Sequence, residues 1–143
     1  MKKDIVILGA GTAGTMMSNH LRKALKDDWN ITVIDQRTEH HYQPGYLFVP
    51  FGMYEPEDIV KPIEKFIPKG VDLVLGKIDR IYQDKDRVVM ENGKEFKYDI
   101  LNIATGTDIA PEEVEGMSGP HWHKDVFDFY NRAHGEGTHL MFI

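Results

Sequence analysis

Cysteine is absent from the 143 residues, which excludes disulfides, thiolate-held metals and thiol nucleophiles within this chain. Any such chemistry has to come from elsewhere. Long apolar runs are absent as well, and no stretch approaches the ~20 residues of a membrane-spanning helix. The opening Met1-Lys2-Lys3 imitates the charged start of a signal peptide. Asp4 follows it, however, and glycines interrupt the apolar run after Leu8, short of the roughly 7 to 15 residues a leader needs. A cytoplasmic start is the expectation, with peripheral membrane association left open. Basic residues are few: 17 Lys and Arg stand against 23 Asp and Glu, the net charge is −6, and no basic cluster exceeds a pair. Nucleic acid, whose phosphates need a basic face, is excluded as the main partner. Neither a Ser-His-Asp spacing nor a carboxylate pair stands out, so hydrolase chemistry has no support. What is present is 41% apolar and 28% charged sequence over one domain's length, enough to bury a core.

Along the chain, Asp4 to Leu8 is a short apolar run rich in β-branched residues. From Thr12 to Lys26, Ala13, Met17, Leu21, Ala24 and Leu25 recur at helical spacing. Ile31 to Ile34 predicts a second buried strand ending at Asp35. Strand, turn, helix and strand make a β-α-β unit, and the nearly continuous apolar character of both strands suits a parallel sheet covered on both faces. Residues 41–54 predict a structured loop, crowded with Tyr42, Tyr46, Phe48, Phe51 and Tyr54 among prolines and glycines. Pro56 to Phe66 predicts one or two short helical turns. Four strands are then expected in a small antiparallel sheet: Val71–Leu75, Lys77–Tyr82, Arg87–Glu91 and Lys94–Tyr98, the last two joined by an Asn92-Gly93 hairpin turn. Asp99 to Ala104 predicts another buried strand, and His139 to Ile143 a last one with no sheet to join, which suggests a truncated chain.

Between the first strand and the helix lies Gly9-Ala10-Gly11-Thr12-Ala13-Gly14, a G-x-G-x-x-G with an acid, Asp35, some twenty positions on. Gly9 permits the sharp turn, Gly11 lets a pyrophosphate approach the backbone, and Gly14 lets helix and strand pack closely. The helix N-terminus supplies amides and the positive end of its dipole to phosphates, and Asp35 is placed to accept hydrogen bonds from an adenosine ribose. The motif fits NAD and FAD equally, because both carry an ADP half. His40-His41 and His121-Trp122-His123 lack the further ligands a metal needs and read as surface histidines, so no metal is expected.

Two features together favour FAD. The motif stands at the extreme N-terminus, and a later strand ends in Ala104-Thr105-Gly106. This pairing resembles the flavoproteins with two dinucleotide-binding domains, the pyridine nucleotide-disulfide oxidoreductase superfamily, in which the Ala-Thr-Gly turn lies near FAD. An ordinary turn is the alternative for Thr105. Within that superfamily, His41-Tyr42-Gln43-Pro44-Gly45-Tyr46-Leu47-Phe48-Val49-Pro50-Phe51-Gly52 resembles the sulfide:quinone oxidoreductase group, as do Asp58 to Ile63 and Val126 to Tyr130. Type II NADH dehydrogenases share the general frame.

The resemblance implies a Rossmann-like FAD-binding domain with a parallel sheet and an antiparallel crossover sheet. Residues 1–110 would be the FAD-binding portion, and 111–143 a linker and the start of a second dinucleotide-binding domain. It also implies Gln36 and Arg37 beside the adenosine end of FAD, Gln43 and Pro44 toward the flavin, and Lys77 and Ile78 at the adenine. The full-length protein would oxidise sulfide, or NADH in the alternative, and pass electrons through FAD to a membrane quinone. It would work as a peripheral protein at the inner membrane face, with a homo-oligomer as an open assembly. The redox cysteines of that mechanism have no counterpart here, so this chain alone is expected not to turn over sulfide. Two competing readings are a stand-alone nucleotide-binding module without enzymatic chemistry and a Rossmann protein that binds NAD only.

Overall fold

Lys3–Leu8 (β1) runs straight into the glycine turn and then into the helix Thr12–Leu25 (α1), which ends at Lys26 in a positive-φ conformation. Trp29–Asp35 (β2) follows and pairs with β1 in parallel, Ile5 opposite Ile31 and Leu8 opposite Ile34. Glu39–His41 (β3) and Val60–Pro62 (β4) form a separate two-stranded sheet. Asp72–Leu75 (β5) is followed by Ile78–Tyr82 (β6), Arg87–Met90 (β7), Glu95–Lys97 (β8) and Ile100–Ile103 (β9). These elements come from a computed structural model that describes residues 2–128 and 130. The strand expected over 139–143 lies outside them.

Of the described residues, those up to 40 together with 62–106 form one compact unit, and 41–61 with 107–128 and 130 form another. The first unit carries a four-stranded parallel sheet in the order β5-β2-β1-β9 and a three-stranded antiparallel sheet in the order β6-β7-β8. Side chains alternate across β1. Ile5 and Ile7 join Ile31, Val33 and Ile63 in one cluster, onto which Leu21 and Leu25 of α1 pack. Val6 and Leu8 point the other way and join Ile34, Val88 and Met90, with Phe96 and Tyr98 alongside. The parallel sheet is therefore covered by the helix on one face and by the antiparallel sheet on the other. That cover is why β1 and β2 read as unbroken apolar runs. Each fully buried aliphatic side chain stabilises the fold by about 1.5–3 kcal/mol.

Ile34 lies wholly inside the second cluster. Ile34→Val deletes one methyl group there and is expected to lower the unfolding free energy by about 0.5–1.5 kcal/mol, read as a lower urea midpoint at unchanged slope.

Two expectations need correction. Val71–Leu75 was assigned to the antiparallel sheet, but Asp72–Leu75 pairs in parallel with β2, Val33 opposite Leu73, and extends the main sheet. A four-residue apolar run carries no mark of which sheet it joins. The helical turns expected over 56–66 are limited to the 3-10 turn Ile63–Phe66, because Val60–Pro62 is extended and pairs with β3. The Asn92-Gly93 turn is as expected: Gly93 has φ +81°, its N–H donates to Met90 O at 2.9 Å, and Asn92 Oδ1 accepts from Lys94 N at 3.0 Å.

In the second unit, the loop beyond β3 is built on 3-10 turns at Gln43–Leu47 and Val49–Phe51. Tyr46, Val49 and Ile59 form its own small core.

Candidate functional site

The C-terminal ends of β1, β2, β5 and β9 converge on the glycine turn. Gly9 N–H donates to Ile34 O at 2.7 Å, and Ala104 N–H donates to Leu8 O at 2.7 Å, which fixes the turn between β2 and β9. Gly9 has φ +94°, and a Cβ there would lie 2.3 Å from Ala104 O. Only glycine fits that place. Ala10 is fully buried. Its N–H donates to Asp35 Oδ2 at 2.6 Å, while Asp35 Oδ1 accepts from Arg37 N at 2.8 Å and Asp35 O from Gly76 N at 2.8 Å. The acid at the end of β2 thus holds the turn, and lone pairs on both carboxylate oxygens stay available for further donors.

Gly11 caps α1 with φ −68° and ψ −163°, an extended conformation open to any residue, and a Cβ built on it meets nothing within 4 Å. The space above it is free. Gly14 is the opposite case: a Cβ there would lie 1.8 Å from Gly9 O. No side chain caps the helix and no acid lies in its first turn. The first-turn amides have no partner inside the helix, and no acid of the first turn itself offsets the positive end of the dipole. Thr12 and Ala13 are exposed on that turn. Thr15 Oγ1 donates inward, to Gly11 O at 2.9 Å, and Ser18 Oγ donates to Thr15 O at 2.9 Å. An uncapped helix start beside an open glycine and a strand-end acid can hold an anion and a vicinal diol together.

Of the other residues singled out in the sequence, Gln36 and Arg37 follow Asp35 with exposed side chains. Gly76, bonded to Asp35 O, brings the backbone at Lys77 to the same strand ends, and Lys77 itself is exposed. Ile78 packs in part against the cluster of Val6, Leu8, Ile34, Val88 and Met90. Ala104 and Thr105 press against Gly9, and Gly106 turns away with φ +76°. Gln43 and Pro44 belong to the second unit. There Gln43 Nε2 donates to Tyr130 O at 3.3 Å, and Thr107 Oγ1 lies 2.6 Å from Tyr130 Oη. Within the aromatic loop, Tyr46 is buried and hydrogen-bonded to His41 Nδ1, and Phe48 meets Tyr54 edge to face at 5.9 Å.

His40 is less exposed than the surface histidine expected. Its ring is half-buried, lies 4.2 Å from the Phe66 ring, and its Nδ1 is 3.2 Å from Ala10 O. Both partners are far away in sequence, so no local signal marks it. Among the described residues no three His, Asp or Glu side chains gather as a metal site, and no helix is long and apolar enough to cross a membrane.

The sequence model of the pyridine nucleotide-disulphide oxidoreductase family matches residues 3–137. The chain is 30% identical over 113 residues to the mitochondrial sulfide:quinone oxidoreductase of Dictyostelium discoideum, covering 79% of this chain and 25% of that protein. It is also 30% identical over 118 residues to the type II NADH:quinone oxidoreductase of Staphylococcus epidermidis, covering 81% of this chain and 29% of the relative. The crystal structure of the sulfide:quinone oxidoreductase from the hyperthermophilic bacterium Aquifex aeolicus superposes with a TM-score of 0.78 at 26% identity, over 97% of this chain and 31% of that one. The chain spans between a quarter and a third of the length of these relatives.

Proposed function

Because this chain belongs to the pyridine nucleotide-disulphide oxidoreductase family, we propose that its glycine turn binds the ADP half of FAD and that the chain is the cofactor-binding portion of a sulfide:quinone oxidoreductase. The observation that carries the reading is the contrast at the turn. Gly9 and Gly14 are glycine because protein backbone fills the place of a Cβ, whereas Gly11 faces open space at an uncapped helix start. Nothing in the protein's own packing requires glycine at position 11, and a pyrophosphate lying on the backbone does.

Gly11, Thr12 and Ala13 would receive the pyrophosphate on their amides, with Ala10 and Gly14 shaping the turn. Asp35 would hold the ribose hydroxyls, with Gln36 and Arg37 beside the adenosine. Lys77 and Ile78 would line the adenine through backbone and an apolar edge. Ala104 and Thr105, held beside Gly9, would continue the site toward the flavin together with Gly106, and Gln43 and Pro44 are assigned to the flavin end by the resemblance to the same group. Bound flavin supplies two-electron acceptance from a donor and delivery to a quinone. Sulfide is the proposed donor and a quinone the acceptor in the whole protein. The thiols that sulfur transfer requires must come from outside these 143 residues, which contain no cysteine. The Staphylococcus relative supports NADH as the alternative donor through the same cofactor site.

Calorimetric titration of the purified chain with FAD, ADP and NAD tests the reading. FAD and ADP are expected to compete for one site, with NAD weaker. Binding of NAD without FAD would replace the proposal with an NAD-type Rossmann protein. A second expectation comes from the helix dipole. Thr12→Glu places a carboxylate in the acid-free first turn, so it should raise stability by about 0.3–1 kcal/mol. The same charge repels the pyrophosphate, so ADP should bind about tenfold more weakly while adenosine is unaffected.

A further inference from the structure

The geometry points to His40 as a positioning residue that aims the Gly11 amide at the ligand's pyrophosphate, an inference that rests on the nucleotide reading above. His40 Nδ1 lies 3.2 Å from Ala10 O. A carbonyl oxygen only accepts, so Nδ1 carries the proton and donates. The Ala10 carbonyl and the Gly11 N–H belong to one planar trans peptide, so they point in opposite directions. Fixing the carbonyl toward His40 fixes the N–H on the opposite side of the peptide, away from the histidine. Among the described residues no acceptor is paired with that N–H.

The other side of Ala10 is held by Asp35, which takes the Ala10 N–H at 2.6 Å. The peptides before and after Ala10 are thus each clamped by one side chain, Asp35 at the end of β2 and His40 five residues further on, and the residue between them is buried. His40 is itself supported. Its ring lies against Phe66, whose carbonyl accepts from Asn19 Nδ2 on α1 at 2.8 Å. Asn19 also reaches Thr15 O at 2.8 Å. Helix, 3-10 turn and histidine form one chain of contacts that returns to the glycine turn. An amide held in place before the ligand arrives loses no freedom on binding. An amide free to rotate does.

Titration of the full chain with ADP and with adenosine, which lacks phosphate, separates positioning from general damage. His40→Ala is expected to weaken ADP about tenfold, the size of one lost hydrogen bond, and to leave adenosine unchanged. His40→Asn keeps a donor at the δ position and should regain most of the ADP affinity. His40→Gln carries its donor one atom further out and should not. Should His40→Ala fail to fold, the Asn and Gln variants decide the matter between them. Equal loss for ADP and adenosine, an unchanged ADP affinity, or rescue by Gln as good as by Asn overturns the role of His40 alone. Absence of ADP binding by the unaltered chain overturns the nucleotide reading and this inference with it.

Discussion

Gly11→Val is expected to leave the chain folded and to abolish its binding of FAD and ADP. The backbone at Gly11 is extended, with φ −68°, and its would-be Cβ meets nothing, so valine fits without strain. The cost to stability is at most about 1 kcal/mol, from a poorer helix cap. For a ligand the same isopropyl group occupies the space the pyrophosphate needs. Two lost hydrogen bonds to a charged group, at about 1.5–3 kcal/mol each, correspond to roughly a hundredfold to ten-thousandfold weaker binding. Absorbance of retained flavin after desalting, beside a urea melt of the same sample, reads both quantities. An unfolded variant, or a folded one that keeps its flavin, would contradict the assignment of Gly11.

Gly14→Ala should do the reverse and prevent folding outright. The added carbon would sit 1.8 Å from Gly9 O and 2.9 Å from Gly9 C. Both obstacles are backbone, so no rotamer change relieves them. The helix must lift away from the end of β1, which disturbs the packing that Leu21 and Leu25 make further along α1 with the core. Ordinary overpacking costs about 1–3 kcal/mol, and a collision with main chain exceeds that. Small domains hold only about 0.05–0.15 kcal/mol per residue, so the cooperative urea transition of the parent should vanish or move close to zero denaturant. A normal melt for Gly14→Ala would mean that helix and strand can separate at no great cost. The two glycines, three residues apart, thus divide the motif into a part that serves the fold and a part that serves the ligand.

The β-α-β unit was legible because every signal there is local: an apolar run, glycines at fixed spacing, a helical period, a second run and an acid. The hairpin at Asn92-Gly93 was legible for the same reason. Sheet membership was not. Val71–Leu75 resembles the strands that follow it in composition, and only its pairing with β2 places it in the parallel sheet. Val60–Pro62 is three residues long and contains a proline, too little for any period to register. At the site, the glycines and Asp35 could be assigned roles from spacing. The support behind them could not, since His40 reaches Ala10 across 30 positions and Asn19 reaches Phe66 across 47. Thr105 had no physical rationale in the sequence. Its backbone lies against Gly9, which accounts for the glycine there and not for the threonine.

The position of β1 between β2 and β9 also sets an order of events as the chain is made. β1, α1 and β2 can assemble as soon as they leave the ribosome, and the hairpin of β7 and β8 needs only its own turn. The other edge of β1 stays bare until residue 100 emerges, since Asp4 N–H waits for an Asp99 carboxylate 95 residues away. Such distant pairings are the slow ones, and an open strand edge invites pairing with other chains while it lasts. Because Ala104 forms the last wall of the turn at Gly9, the proposed nucleotide site would be completed only in the final stage of this unit's folding.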